Sequence, residues 1–132
     1  YEWLGTEAAG LLAAEALLIG DFNADRPGQG LPLEPDFERL INEGWVHALR
    51  VHETDADHSS WWHSGGTGFS IDHGLISPVL APRFVAASVL ADVAGAPTAG
   101  PGLRTTTGAL SDHRPLVIDL LPRSGAAAEV SG

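Results

Sequence analysis

Residues 16–23 read Ala-Leu-Leu-Ile-Gly-Asp-Phe-Asn. Four apolar residues run straight into a glycine, then a carboxylate, an aromatic and an amide. So short an apolar run fits a strand buried on both faces better than a helix. Gly20 permits either a turn or the close approach of a ligand. Asp21 and Asn23 then fall at the carboxyl end of the strand, where open α/β sheets place their ligands. A carboxylate there can act as a base or touch a metal. An amide can bond a phosphate or a water without adding charge. The plainer alternative, an ordinary strand closed by an Asx turn, fits the stretch equally well.

Charge narrows the function classes. Seventeen acids against seven bases give a formal net charge of −10, and every base is Arg. A strong basic stripe is impossible, so tight non-specific gripping of nucleic acid by these residues alone is excluded. A divalent metal can still bring a phosphate to an acidic site. Without cysteine there are neither disulfides nor thiolate metal sites. No apolar stretch is long enough to span a membrane, and no signal peptide is visible. Cytoplasm and secretion both stay open. The chain contains no Met and starts at Tyr1, so we expect a processed chain or a piece of a longer one.

The remaining elements follow from spacing. Residues 2–14 read as a helix end, with Trp3, Leu4, Leu11 and Leu12 on one face. Residues 24–33 carry turn chemistry. A helix fits Glu34–Glu43, with Pro35 in its first turn and Gly44 as the residue after its last carbonyls. Residues 45–52 alternate loosely as a strand, and 53–60 read as a polar loop. Two strands, Trp61–His63 and Phe69–Ser77, flank a glycine-rich turn, and Pro78 ends the second. One helical turn fits 79–84, a strand 86–94, a long surface loop 95–108 and a last strand Leu116–Leu121. Residues 122–132 read as a disordered tail.

Three acids stand where acids are costly. Asp21 follows a buried strand, Asp72 lies inside an apolar one, and Asp112 precedes the last strand beside His113. Carboxylates so placed need a partner or a metal. His113, in Ser-Asp-His-Arg-Pro, is a candidate phosphate ligand, general base or base-orienting partner. Singly, each acid is more often a satisfied structural group. His47 and His52 read as ordinary strand or surface histidines. Asp55, Asp57, His58 and His63 match no metal-ligand spacing and read as a solvated loop. His73, one residue after Asp72, should face the opposite side of the strand.

Together and in order, the set resembles the endonuclease/exonuclease/phosphatase superfamily, the group with the DNase I-like fold. The residues that carry the resemblance are Gly20-Asp21-Phe22-Asn23, Ser60-Trp61-Trp62 leading to Ser70-Ile71-Asp72, and Ser111-Asp112-His113-Arg114-Pro115. It implies an α/β (α+β) four-layer sandwich. Residues 1–121 would supply its C-terminal half, one mixed β-sheet with flanking helices. It also implies a metal-dependent phosphoesterase. Asp21 would orient or deprotonate the attacking water, and Asn23 would bond that water or the phosphate. Asp112 would be a ligand of Mg²⁺, with Mn²⁺ as an alternative. His113 would touch the scissile phosphate, and Asp72 would pair with His113 and fix its tautomer. Trp61 and Phe69 are candidates to line the substrate pocket. Substrates in the superfamily include nucleic acids, inositol phosphates and phospholipid head groups.

Two departures qualify the match. Ser70 stands where the family has a basic residue before Ile-Asp. The family's first half, with its metal-binding Glu, has no counterpart here. The expectation is therefore a C-terminal segment whose apolar inner face awaits the missing N-terminal half, and which alone has little or no activity. The competing expectation is a non-catalytic remnant or interaction module that kept the half-fold.

Overall fold

The computed structural model describes residues 2–23, 35–52, 58–63 and 66–124. Helix α1 (Glu2–Leu11) leads into strand β1 (Leu17–Asp21). Helix α2 (Pro35–Asn42) starts on its proline. It ends in paired bonds, Gly44 N–H to Ile41 O (3.1 Å) and Trp45 N–H to Leu40 O (3.1 Å). That is the Schellman pattern expected of a glycine after the helix, and Gly44 has φ +114°. The expected loop 24–33 lies outside the described residues.

Residues 45–52 do not form the expected strand. Only Val46–His47 pair, as β2, and a short helix α3 (Ala48–His52) follows. The apolar pair Ala48–Leu49 is fully buried, so packing against the core overrides the weak alternation. Strands β3 (Trp61–Trp62) and β4 (Gly68–Phe69) form the expected hairpin. The second predicted strand is broken at Ser70-Ile71 and resumes as β5 (Asp72–Ile76), ending before Pro78 as expected. A 3₁₀ turn at Ala81–Arg83 precedes β6 (Phe84–Val89). Residues 92–93 leave that strand to pair, as β7 (Asp92–Val93), with β8 (Ala96–Pro97). The long loop after it is not all surface, because Thr98, Ala99 and Gly100 are buried. Strand β9 (Leu116–Leu120) pairs with β6. Of the tail, Arg123 is tied to Glu15, which also holds Arg83; residues 125–132 lie outside the described part.

Strand β5 is the centre of a three-stranded sheet in the order β1-β5-β2. Where one mixed sheet was expected, every strand pairing among the described residues is antiparallel. Antiparallel neighbours share a face. Leu18 and Leu75 therefore point to the helices, where Ala8, Phe22, Leu40 and Trp45 complete one core. Leu17, Ile19 and Asp21 share the other face with Ile76, Gly74 and Asp72. There Ile76 joins Ala48, Leu49, Leu80 and Ala87, with Leu116 and Ile118 of β9 packed on them.

This second face explains why β1 is not buried on both sides. The β6–β9 pair covers β5 but leaves Leu17 at 36% and Ile19 at 50% exposure. The central strand can be covered because Gly74 has no side chain: a Cβ there would run into Ile118 Cδ1. Gly74→Ala should therefore cost ~1–3 kcal/mol by overpacking. Shortening the opposing side chain in a Gly74→Ala/Ile118→Val double variant should recover part of it, read by urea unfolding. Additive losses would show that the two residues do not meet.

Candidate active site

The paired strands carry the acids to one end. Asp21 closes β1 and Asp72 opens β5, and the register sets them directly opposite each other on the same face. Gly20 is needed for its backbone rather than for room: its φ is +154°, and nothing approaches within 4 Å of where a Cβ would stand. Asn23 has a left-handed φ of 49°. Its N–H donates to Asp21 Oδ1 at 2.7 Å. The Asx turn of the plainer reading is therefore real, and it also orients the carboxylate. Phe22 between them is buried, and its N–H donates to Ile71 O (2.9 Å). Asp21 and Asn23 themselves are exposed.

The third motif reaches the same place through β3. Trp61 forms a bridge with His113, and Trp61 is also opposite Phe69. The three side chains thus form a row across neighbouring segments. The Trp61 and Phe69 rings lie 6.0 Å apart, tilted, and both residues are partly exposed. His113 Nδ1 lies 2.7 Å from Asp72 Oδ2. Burial pulls the His113 pKa down. The hydrogen bond and charge of Asp72, with the charges of Asp112 and Asp21, outweigh it, and the net shift is upward. All three sequence-predicted acids therefore act on one imidazole. Asp112 is exposed beside it.

Sequence reasoning missed what holds this assembly together. Ser60 is fully buried. Its Oγ accepts the Asp72 N–H (3.1 Å) and the Ile71 N–H (3.3 Å), and its carbonyl accepts the Arg114 N–H (2.8 Å). One serine so couples the strand bearing Asp72 to the turn bearing His113. Its polarity concealed it, since residues 53–60 read as a loop. His58 and Ser59 are buried too, which corrects the solvated reading of His58; Asp55 and Asp57 lie outside the described residues. His63 is exposed, its ring edge-on to Trp61 at 6.3 Å.

His73 faces away from the site, as expected, and is fully buried with His47. Their Nδ1 and Nε2 atoms are 3.0 Å apart. The Arg50 N–H donates to His47 Nδ1 (3.2 Å). In neutral His47 the proton is then on Nε2 and is donated to His73 Nδ1. His47 is thus a core residue rather than a surface one. Among the described residues no three His, Asp or Glu side chains converge to hold a metal ion.

The fold, antiparallel β-pairs with few helices, is consistent with part of a DNase I-like fold and is similar to two solved structures. The 3′-5′ exonuclease NExo from Neisseria meningitidis is similar over 90% of this chain and 51% of its own, with TM-score 0.63 and 21% identity. A structure of the 3′ phosphatase NExo from Neisseria, bound to a product DNA hairpin, is similar over 89% of this chain and 50% of its own, with TM-score 0.63 and 19% identity. The chain thus spans about half the length of these enzymes. No protein-family model matches the sequence, and no curated protein matches it significantly.

Proposed function

We propose that these residues are the C-terminal half of a metal-dependent phosphoester hydrolase acting on nucleic acid. The observation that carries the reading is the 2.7 Å contact of His113 with Asp72, with the charges of Asp112 and Asp21 acting on the same imidazole. Asp72 takes Nδ1, so Nε2 is the nitrogen turned to a substrate. Three carboxylates favour the imidazolium, a cationic donor suited to a phosphate oxygen that gains charge in the transition state. Asp21, oriented through Oδ1 by the Asn23 N–H and exposed to solvent, is placed to accept a proton from an attacking water. Asn23 adds an amide for that water or the phosphate. Trp61 and Phe69 offer a stacking platform that runs up to His113, fit for a sugar or base beside the scissile bond. The exonuclease and 3′ phosphatase activities of the similar structures, one of them bound to product DNA, favour nucleic acid over inositol phosphates and phospholipid head groups.

Among the described residues no three His, Asp or Glu side chains converge on a metal, and Asp112 would offer Mg²⁺ a single carboxylate. Mg²⁺ takes few protein carboxylates and keeps several waters. Asp112 would be one ligand, and the others would come from the half of the fold beyond these residues. When bound, the ion offsets charge on the phosphate. The open Leu17–Ile19 face of β1 supports the existence of that partner half, as an apolar strip on the face that bears Asp21. Among the described residues no helix is long and apolar enough to cross a membrane.

The test is the whole gene product, assayed with Mg²⁺ or Mn²⁺ on DNA with 3′-hydroxyl and 3′-phosphate ends and on a chromogenic phosphodiester. Turnover should fall on chelation and be reduced ~10²-fold or more by Asp21→Ala. Metal-independent turnover, or an Asp21→Ala enzyme as fast as its parent, would refute the assignment. No hydrolysis of any substrate would favour a non-catalytic module.

A further inference from the structure

Arg114 lies in the His113 turn, yet its side chain reaches away from the reacting group. Successive residues of an extended segment face opposite sides, and His113 is on the side of Trp61 and Phe69. The Arg114 guanidinium instead lies over the ring of Trp62, 4.4 Å from Cζ to the centroid. Its Nε donates to Ala99 O at 2.8 Å. Its backbone N–H donates to Ser60 O at 2.8 Å. Trp62 and Ala99 are both buried. The Ala99 stretch is itself anchored, because Thr98 donates through Oγ1 to Leu90 O (2.7 Å) and through N–H to Ala91 O (3.0 Å). A single side chain therefore ties three separate parts of the chain together: the segment after β8, strand β3 and the turn before β9.

We propose that Arg114 is a positioning residue, a brace that fixes the turn bearing Asp112 and His113 against β3 without itself meeting the substrate. The turn's other ties are the His113 Nδ1 contact with Asp72 Oδ2 (2.7 Å), the His113 N–H to Ser111 Oγ bond (3.1 Å), the Leu90 N–H to Pro115 O bond (2.9 Å) and the bridge to Trp61, and none of these reaches Trp62 or the Ala99 stretch. The brace needs a planar cation: one face stacks on the indole while an edge N–H reaches the carbonyl. Lys can supply the charge over the ring but not both contacts at once.

The kinetic arm of the test rests on the hydrolase reading, and the exchange arm does not. In the full-length protein, Arg114→Met keeps the apolar stem over Trp62 and removes the fork. Amide hydrogen exchange at positions 113 and 114 should speed up ~10-fold, while His73–Ile76 of β5 keep their protection. Under the same conditions kcat should fall ~10–100-fold at unchanged KM, the signature of a displaced catalytic group. Arg114→Lys should fall between parent and Met variant on both readouts. It also serves as the test if the Met variant does not fold. Unchanged exchange and kcat in these variants would overturn the brace. A raised KM at unchanged kcat would overturn it too, by making Arg114 a substrate contact. If the parent hydrolyses nothing, the hydrolase reading fails and the exchange comparison alone decides the brace.

Discussion

Replacing His113 by Ala in the full-length protein is expected, on the proposed hydrolase reading, to lower kcat by ~10²–10⁴-fold, the usual contribution of a positioned proton donor or oxyanion partner. The pH profile says which form works. Burial opposes the charged imidazole, but the bond to Asp72 and the charges of Asp72, Asp112 and Asp21 prevail, so the His113 pKa is raised. If the cation is the active form, activity persists above the ordinary imidazole value, about 6.5, and is lost as pH climbs through the raised one. Asp72→Asn removes the closest of these charges. Its alkaline limb should move to lower pH, with kcat reduced even below that limb. The stability linked to this group has the same sign: fully present below the ordinary imidazole value and lost as pH rises through the folded value. An alkaline limb that stays put in Asp72→Asn would show that His113 does not govern it.

Trp45→Ala is expected to cost ~3–5 kcal/mol of folding stability, the largest loss from any single core truncation here. Trp45 is 2% exposed. It packs with Ala8, Phe22, Leu40 and Leu75, the cluster that joins α1 and α2 to the sheet. Phe22 sits between Asp21 and Asn23, so the same cavity lies directly behind the candidate site. The indole contributes less than its size promises in one respect. Its Nε1 is buried and has no hydrogen-bond partner among the described residues, a cost the folded chain carries. Trp45→Phe discards that N–H and keeps most of the ring, so it should lose only ~1 kcal/mol. Urea unfolding with an unchanged m-value would separate the two variants. Equal losses would mean that the indole N–H is satisfied after all.

The elements legible in the sequence are those whose cause is local. Strand β1 followed from four apolar residues and a glycine, α2 from Pro35, Leu40 and Ile41, its end from Gly44, and β9 from the run after Pro115. The elements misread are those decided by packing. Residues 48–52 alternate weakly and became helical because Ala48 and Leu49 fill the core beneath β6. Ser60 looks like a loop residue and is buried because its polar atoms serve the backbone of β4, β5 and the His113 turn. Leu17 and Ile19 look like core and are exposed, because the β6–β9 pair covers β5 and leaves β1 open.

The site divides in the same way. Residue order and type alone marked Asp21, Asn23, Asp72, Asp112 and His113, since costly carboxylates at strand ends need a reason that composition cannot provide. Sequence could not say that Asp21 and Asp72 are cross-strand partners or that Ser60 and Arg114 clamp the turn; the resemblance implied the Asp72–His113 pair, and the structure puts it at Nδ1. Those contacts join residues 12 to 54 positions apart. Their partners are chosen by strand register and burial, which are set only when the whole sheet has formed.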